Sequence, residues 1–174
     1  MKLTWFGGTT VRVHMGGMIL VVKPNDAPAG LDRAELLSGA DRVLDADELP
    51  LADLATWRPR QAGRLLDVVI EPAVEAWSTG SGGILLETLG EAPLLLVSNQ
   101  LLPMGRWAES AVVALFGDGR RLVLLGSALL RERSPRLLAL AGDEAAIDYA
   151  VPRLRDQLDG ASLVALEIGM ALEV

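Results

Sequence analysis

Asp45, Asp47 and Glu48 put three carboxylates into one short acidic stretch. Carboxylates hold hard divalent cations such as magnesium, calcium or manganese without histidine, although such sites draw on more ligands than these three. The same side chains also suit the start of a short helix, where negative charge meets the positive end of the backbone dipole. His14 is the single histidine. In the alternation of Thr10, Arg12 and His14 against Val11, Val13 and Met15 it falls on the polar face of a strand, which reads as a solvated residue rather than an isolated acid–base group. The chain has no cysteine, which excludes disulfides, thiol catalysis and Cys-ligated zinc or iron–sulfur centres. Ser78-Thr79-Gly80-Ser81-Gly82-Gly83 offers backbone N–H groups to an anion, but it lacks the lysine and following helix of a phosphate loop. Gly80-Ser81-Gly82 is not the Gly-x-Ser-x-Gly of a nucleophile elbow either. A flexible turn is the reading of that stretch. Trp5, Trp57, Trp77 and Trp107 are far apart in sequence and read as core or interface anchors.

The elements that must position these groups are mostly short strands. Lys2–Phe6, Thr10–His14 and Met18–Val22 alternate with period two and are separated by Gly7-Gly8 and Gly16-Gly17, both hairpin signals. A loop over 24–30 leads to a short helix over 31–37 with Leu36 and Leu37 facing the core, and then to a strand at Arg42–Leu44. One or two helical turns are expected over 51–57, a strand over 66–70 ending before Pro72, and a strand pair at 84–89 and 94–98. Val112–Phe116 and a strand over 121–125 flank Gly117-Asp118-Gly119-Arg120, whose Asp-Gly predicts a hairpin. Asp143 is placed to cap a helix over 144–158, with Ile147, Val151, Leu154 and Leu158 on its inner face and Pro152 as a kink. A last strand covers 163–168. No linker divides the chain, so residues 1–174 form a single domain.

With 16 basic and 23 acidic residues the formal net charge is −7, which repels phosphate backbones. Arginines gather at Arg58, Arg60 and Arg64, at Arg120 and Arg121, and at Arg131, Arg133 and Arg136. No aromatic side chains interleave them as a stacking platform requires, so nucleic acid is excluded as a partner. No apolar run reaches the roughly 18 residues of a membrane span, and the N-terminal residues do not form a signal peptide. With the missing cysteines this fits a cytoplasmic protein. The chain is 51% apolar, more than the usual share once glycine is left out. A homo-oligomer, through the strands at 84–89 and 94–97 or the C-terminal 163–174, would cover the surplus.

The first 24 residues, from Met1-Lys2-Leu3-Thr4-Trp5-Phe6-Gly7-Gly8 to Met18-Ile19-Leu20-Val21-Val22-Lys23-Pro24, resemble the opening of the metallo-β-lactamase superfamily, in its metal-dependent hydrolase branch. Ala40-Asp41-Arg42-Val43-Leu44 continues the likeness. The resemblance implies an αββα sandwich: two facing, mostly antiparallel sheets, here shortened and with few outer helices, and a metal site at one edge. The metal-binding residues do not carry over. Gly8 stands where the branch has a histidine after Leu-Gly, and Lys23-Pro24 replaces Asp-Pro. The loop Asp45-Ala46-Asp47-Glu48-Leu49-Pro50-Leu51-Ala52 contains none of the histidines of a His-x-His-x-Asp-His loop. Ser98-Asn99 stands where Gly-Asp is usual and reads as turn chemistry.

These observations lead first to a non-catalytic metallo-hydrolase-like domain, a binding, regulatory or assembly module with no catalytic residue, no zinc and no cofactor. The alternative is a hydrolase with an atypical divalent-metal site built from Asp45, Asp47 and Glu48. A third reading drops the family for a small unrelated all-β or α+β domain.

Overall fold

The computed structural model describes residues 1–60 and 74–174. The strand expected over 66–70 and Arg64 lie outside the described residues. Two sheets are present. The first holds β1 (Lys2–Gly7), β2 (Thr10–Met15), β3 (Met18–Val22), β4 (Arg42–Leu44) and β11 (Ala171–Glu173), in the order β11-β1-β2-β3-β4. The second holds β5 (Glu75–Ser78), β6 (Ile84–Glu87), β7 (Leu94–Val97), β8 (Val112–Phe116), β9 (Leu137–Ala141) and β10 (Ser162–Ala165), in the order β10-β9-β8-β7-β6-β5. The helices are α1 (Arg33–Leu37), α2 (Gly119–Glu132) and α3 (Glu144–Arg155). None of the described helices is long and apolar enough to cross a membrane.

Two cores hold these layers together. Leu3, Trp5, Val11, Val13, Leu20 and Val22 of the first sheet pack between the sheets against Ile84, Leu86, Leu94, Leu96, Val112, Ala114 and Phe116 of the second. The other face of the second sheet presents Leu85, Leu95, Val113, Leu115, Leu138 and Leu140 to Leu122, Leu125 and Leu129 of α2 and Ala146, Ala150 and Leu154 of α3. A sheet buried on both faces needs apolar residues at successive positions, which is why Leu94-Leu95-Leu96-Val97 does not alternate. The first sheet does alternate, because little covers its outer side. There α1 buries Leu36, while Leu37 is only half-buried and His14 is exposed. Among the described residues, α1 is the helix on that side.

Among the described residues, antiparallel pairs outnumber parallel ones by five to four. The parallel run from β7 to β10 corrects the hairpin expected around Asp118-Gly119. Asp118 is a helix N-cap whose Oδ1 accepts from Arg121 N at 2.9 Å, and the residues after it form α2 instead of a returning strand. Leu122, Leu125, Gly126 and Leu129 recur at helical spacing on its buried side, while Leu124 is 69% exposed. Gly119 supplies no positive φ. Its missing Cβ makes room for Tyr149 of α3, which would lie 2.9 Å from a side chain there. A helix here returns the chain to start β9 parallel to β8, the crossover a parallel pair requires.

The helix capped by Asp143 is present and ends at Arg155, and Pro152 lies inside it. Its inward face is Ala146, Ala150 and Leu154, with Ile147 and Val151 half-buried beside them. The helical turns expected over 51–57 reduce to a single turn, closed by Trp57 N donating to Asp53 O at 2.8 Å. Strands β6 and β7, expected as an interface, are fully buried within the protomer. In the C-terminal segment Ile168 and Met170 are 64% and 61% exposed.

Trp57, Trp77 and Trp107 come together in edge-to-face contact at centroid distances of 5.7 and 4.8 Å. Trp107 Nε1 donates to Leu54 O at 2.8 Å. Near them, Glu75 and Glu87 face each other across β5 and β6. The Glu87 side chain is only 2% exposed, and Arg60 compensates it with Nε to Oε2 at 2.7 Å while its Nη1 reaches Glu75 at 2.9 Å. Removing one partner of a buried pair costs more than replacing both, because it strands a charge. Arg60 is 37% exposed and its backbone N–H also donates to Glu87, so Arg60→Ala should lower stability by about 1–2 kcal/mol. Adding Glu87→Met in the same chain should return most of that loss, as read by urea unfolding at neutral pH. Equal stability of the single and double variants would contradict the pairing.

Candidate functional site

The strand ends Val22, Leu44, Val97 and Phe116 bring four connections to one edge of the sandwich, between the sheets. The residue that links them is Lys23. It is the one described residue other than glycine with a positive φ, at 48° with ψ 56°. A side chain in this left-handed region clashes with its own carbonyl, so the conformation must be held from outside. Lys23 N donates to Leu44 O at 2.9 Å, and Lys23 O accepts from the buried Thr10 Oγ1 at 2.6 Å and from Asp26 N at 3.1 Å.

Held in this way, the side chain crosses to the other sheet, where Nζ donates to the carbonyl of Gly82 in the β5–β6 loop. Gly82 has φ +77°, and a Cβ there would sit 2.9 Å from Asn99 Nδ2 and 3.8 Å from Lys23 Nζ. Glycine is thus required twice over at this position, by conformation and by space. Asn99 Oδ1 accepts from Arg121 Nη1 at 3.3 Å, and Arg121 Nη1 also donates to Ser98 O at 3.1 Å. Between the sheets, Thr9, Lys23, Gly82, Ser98 and Phe116 line a cleft of about 10 Å³, room for roughly one water.

The residues singled out in the sequence are distributed differently. Asp45 is half-buried directly after β4, while Asp47 and Glu48 are exposed on a short 3-10 turn at Ala46–Glu48. Among the described residues no three His, Asp or Glu side chains converge to hold a metal ion. His14 is exposed on the outer face of the first sheet, paired with Lys2 and Ile19. The Ser78–Gly83 stretch does reach the edge. Ser78 closes β5, Ser81 Oγ donates to Gln100 O at 3.2 Å, and Thr79 and Ser81 hydroxyls lie 3.1 Å apart. Ser98-Asn99 is also there.

Sequence reasoning missed Lys23 and Arg121 as site residues. Lys23-Pro24 was visible only as a departure from Asp-Pro, and Arg121 was hidden by assigning its segment to a strand. The arrangement presents an ammonium and a guanidinium on either side of a neutral amide. Among the described residues neither cation makes an ion pair with a carboxylate.

No family model and no curated protein matches the sequence. A solved structure from Thermotoga maritima, assigned to the Zn-dependent hydrolases of the metallo-β-lactamase superfamily, superposes with a TM-score of 0.51 at 14% identity. The match covers 97% of this chain and 100% of that one. The fold is therefore metallo-β-lactamase-like, shortened, with two sheets and few helices.

The backbone of Lys23 gives a direct check. Lys23→Gly and Lys23→Ala both delete the ammonium, but only glycine is at ease with a positive φ. The glycine variant should be the more stable of the two by about 1 kcal/mol, measured by thermal or urea unfolding. An alanine variant of equal or greater stability would mean that the backbone is not left-handed there.

Proposed function

We propose that this chain is a non-catalytic module on the metallo-hydrolase fold, one that acts by binding rather than by turnover. The observation that carries this reading is the Lys23 ammonium, fixed between the two sheets on the Gly82 carbonyl with Arg121 nearby. A divalent cation needs carboxylates or imidazoles facing an open space. The strand-end edge instead offers two positive groups and a cleft the size of a water molecule. Like charges a few ångströms apart in a partly desolvated site repel by several kcal/mol. A metal at this edge would have to displace the Lys23 ammonium from the Gly82 carbonyl. Among the described residues no three carboxylate or imidazole groups converge to offset that repulsion.

The test is turnover. Protein prepared without a histidine tag should show no hydrolysis of a chromogenic phosphodiester or lactam above background, with zinc, manganese or magnesium supplied. Saturable hydrolysis that needs one of these metals and disappears on chelation would overturn the proposal.

A further inference from the structure

We infer that the groove between the start of α3 and the end of β10 docks an extended, basic segment of a partner protein, laid along the free edge of β10. The inference rests on the reading of the chain as a binding module and names the partner class.

The groove has a volume of about 590 Å³. Trp5 and Leu166 form its buried floor, beside the half-buried Ile147 and beside Ile168, which is 64% exposed. Its rim is acidic. Asp143, Glu144, Asp148 and Glu167 line it, and among the described residues no lysine, arginine or histidine does. Two other grooves of comparable size carry both signs: Asp118 and Asp143 lie with Arg120 and Arg121 in one, Glu109 and Asp159 with Arg131 and Arg133 in the other. Asp143 is engaged as the cap of α3, its Oδ1 accepting from Ala146 N at 2.8 Å. Glu144, Asp148 and Glu167 face water. Glu144 and Asp148 stand one turn apart on one face of α3, a spacing at which like charges weaken a helix and a cation between them relieves it.

The backbone supplies the second observation. β10 ends the order of its sheet and pairs with β9, which leaves its outer side unpaired among the described residues. Ser162 N donates to Arg136 O at 3.3 Å and Leu166 N to Leu140 O at 2.8 Å, both toward β9. The alternation of a parallel ladder then turns the N–H and C=O groups of Leu163 and Ala165 outward. Ala165 also lines the groove, so the free edge runs into it. The strand, Ser162–Ala165, holds no charge or proline to block an added strand. An extended peptide can pair with such an edge while alternate side chains enter a neighbouring pocket. Charge decides the occupant. A second copy seated here by a two-fold would set the same carboxylates against themselves, whereas lysines or arginines flanking apolar residues meet rim and floor together.

The experiment is an NMR titration of the intact protein, at physiological ionic strength, with a blocked octapeptide of alternating lysine and valine and with its counterpart of alternating glutamate and valine. Saturable binding of the lysine peptide is expected, with shifts at Ile147, Ala165 and Ile168 and slower hydrogen exchange at the Leu163 and Ala165 amides. Asp148→Lys combined with Glu167→Lys should weaken binding about tenfold or more. Glu48→Lys combined with Glu132→Lys, the same change in net charge on exposed residues outside the groove, should weaken it less than about twofold. No saturation, equal binding of the glutamate peptide, shifts away from the groove, or equal weakening by the two double variants would overturn the assignment. So would a doubled mass in light scattering with the β10 amides already protected before peptide is added, which would give the edge to a second copy. Loss of the peptide site leaves the non-catalytic reading in place, because turnover is decided by a separate assay.

Discussion

Along β7 and β8 the second sheet is shielded from water on both faces, with every residue 4% exposed or less. Most of the remaining architecture follows from that constraint. Two covers are needed, and the chain supplies the first sheet on one side and α2 with α3 on the other. Backbone groups in so dry a layer have to be paired within the sheet. Six strands then line up, and the four from β7 to β10 are parallel. Parallel neighbours in turn require crossovers, and α2 and α3, which cover the outer face, are the crossovers from β8 to β9 and from β9 to β10. Gly119 and Gly126 let the two helices approach, since a side chain at either would lie within 2.9 Å of Tyr149 or Leu154.

The same geometry creates the edge where Lys23 sits. Parallel strands end together, so their connections gather on one side, next to the ends of β3 and β4 from the first sheet. Each sheet there leaves carbonyls beyond its last pair, and something must bridge them. Lys23 does so with a single charged hydrogen bond from one sheet to the other, and its backbone closes the local ladder through Leu44 and Thr10. One residue therefore ties together the end of the hairpin, the acidic segment that follows β4 and the glycine-rich loop of the second sheet.

Much of the fold was legible, and the failures have physical causes. The first sheet alternates because one side is wet, so its strands could be read from period two alone. Leu94–Val97 was readable as a buried run. Leu137–Ala141 was not read as a strand because leucine and alanine favour helix, and only burial on both faces turns them into a strand. Asp118-Gly119 misled because the same dipeptide serves a tight turn or a helix cap, and here Leu122, Leu125 and Leu129 bury one face of the helix that follows. Ala171–Glu173 is a short edge strand stabilised by β1, distant in sequence, and Glu75–Ser78 is a short edge strand in a hairpin with β6. The missing histidines were evident in the sequence, but the positive group at the edge was not. Lys23 and Arg121 lie far apart in the chain, and Arg121 reaches Ser98 and Asn99 only because its segment is helical. The tryptophan cluster is likewise a product of folding.

The central claim is that cations of the protein itself hold the strand-end edge in place of a metal. Diffraction from crystals soaked in zinc, collected at the zinc absorption edge, measures this directly. The expected map has no anomalous peak between the sheets and shows Lys23 Nζ on the Gly82 carbonyl. A strong peak at that edge, with the Asp45 carboxylate among its ligands and the Lys23 side chain swung away, would contradict it.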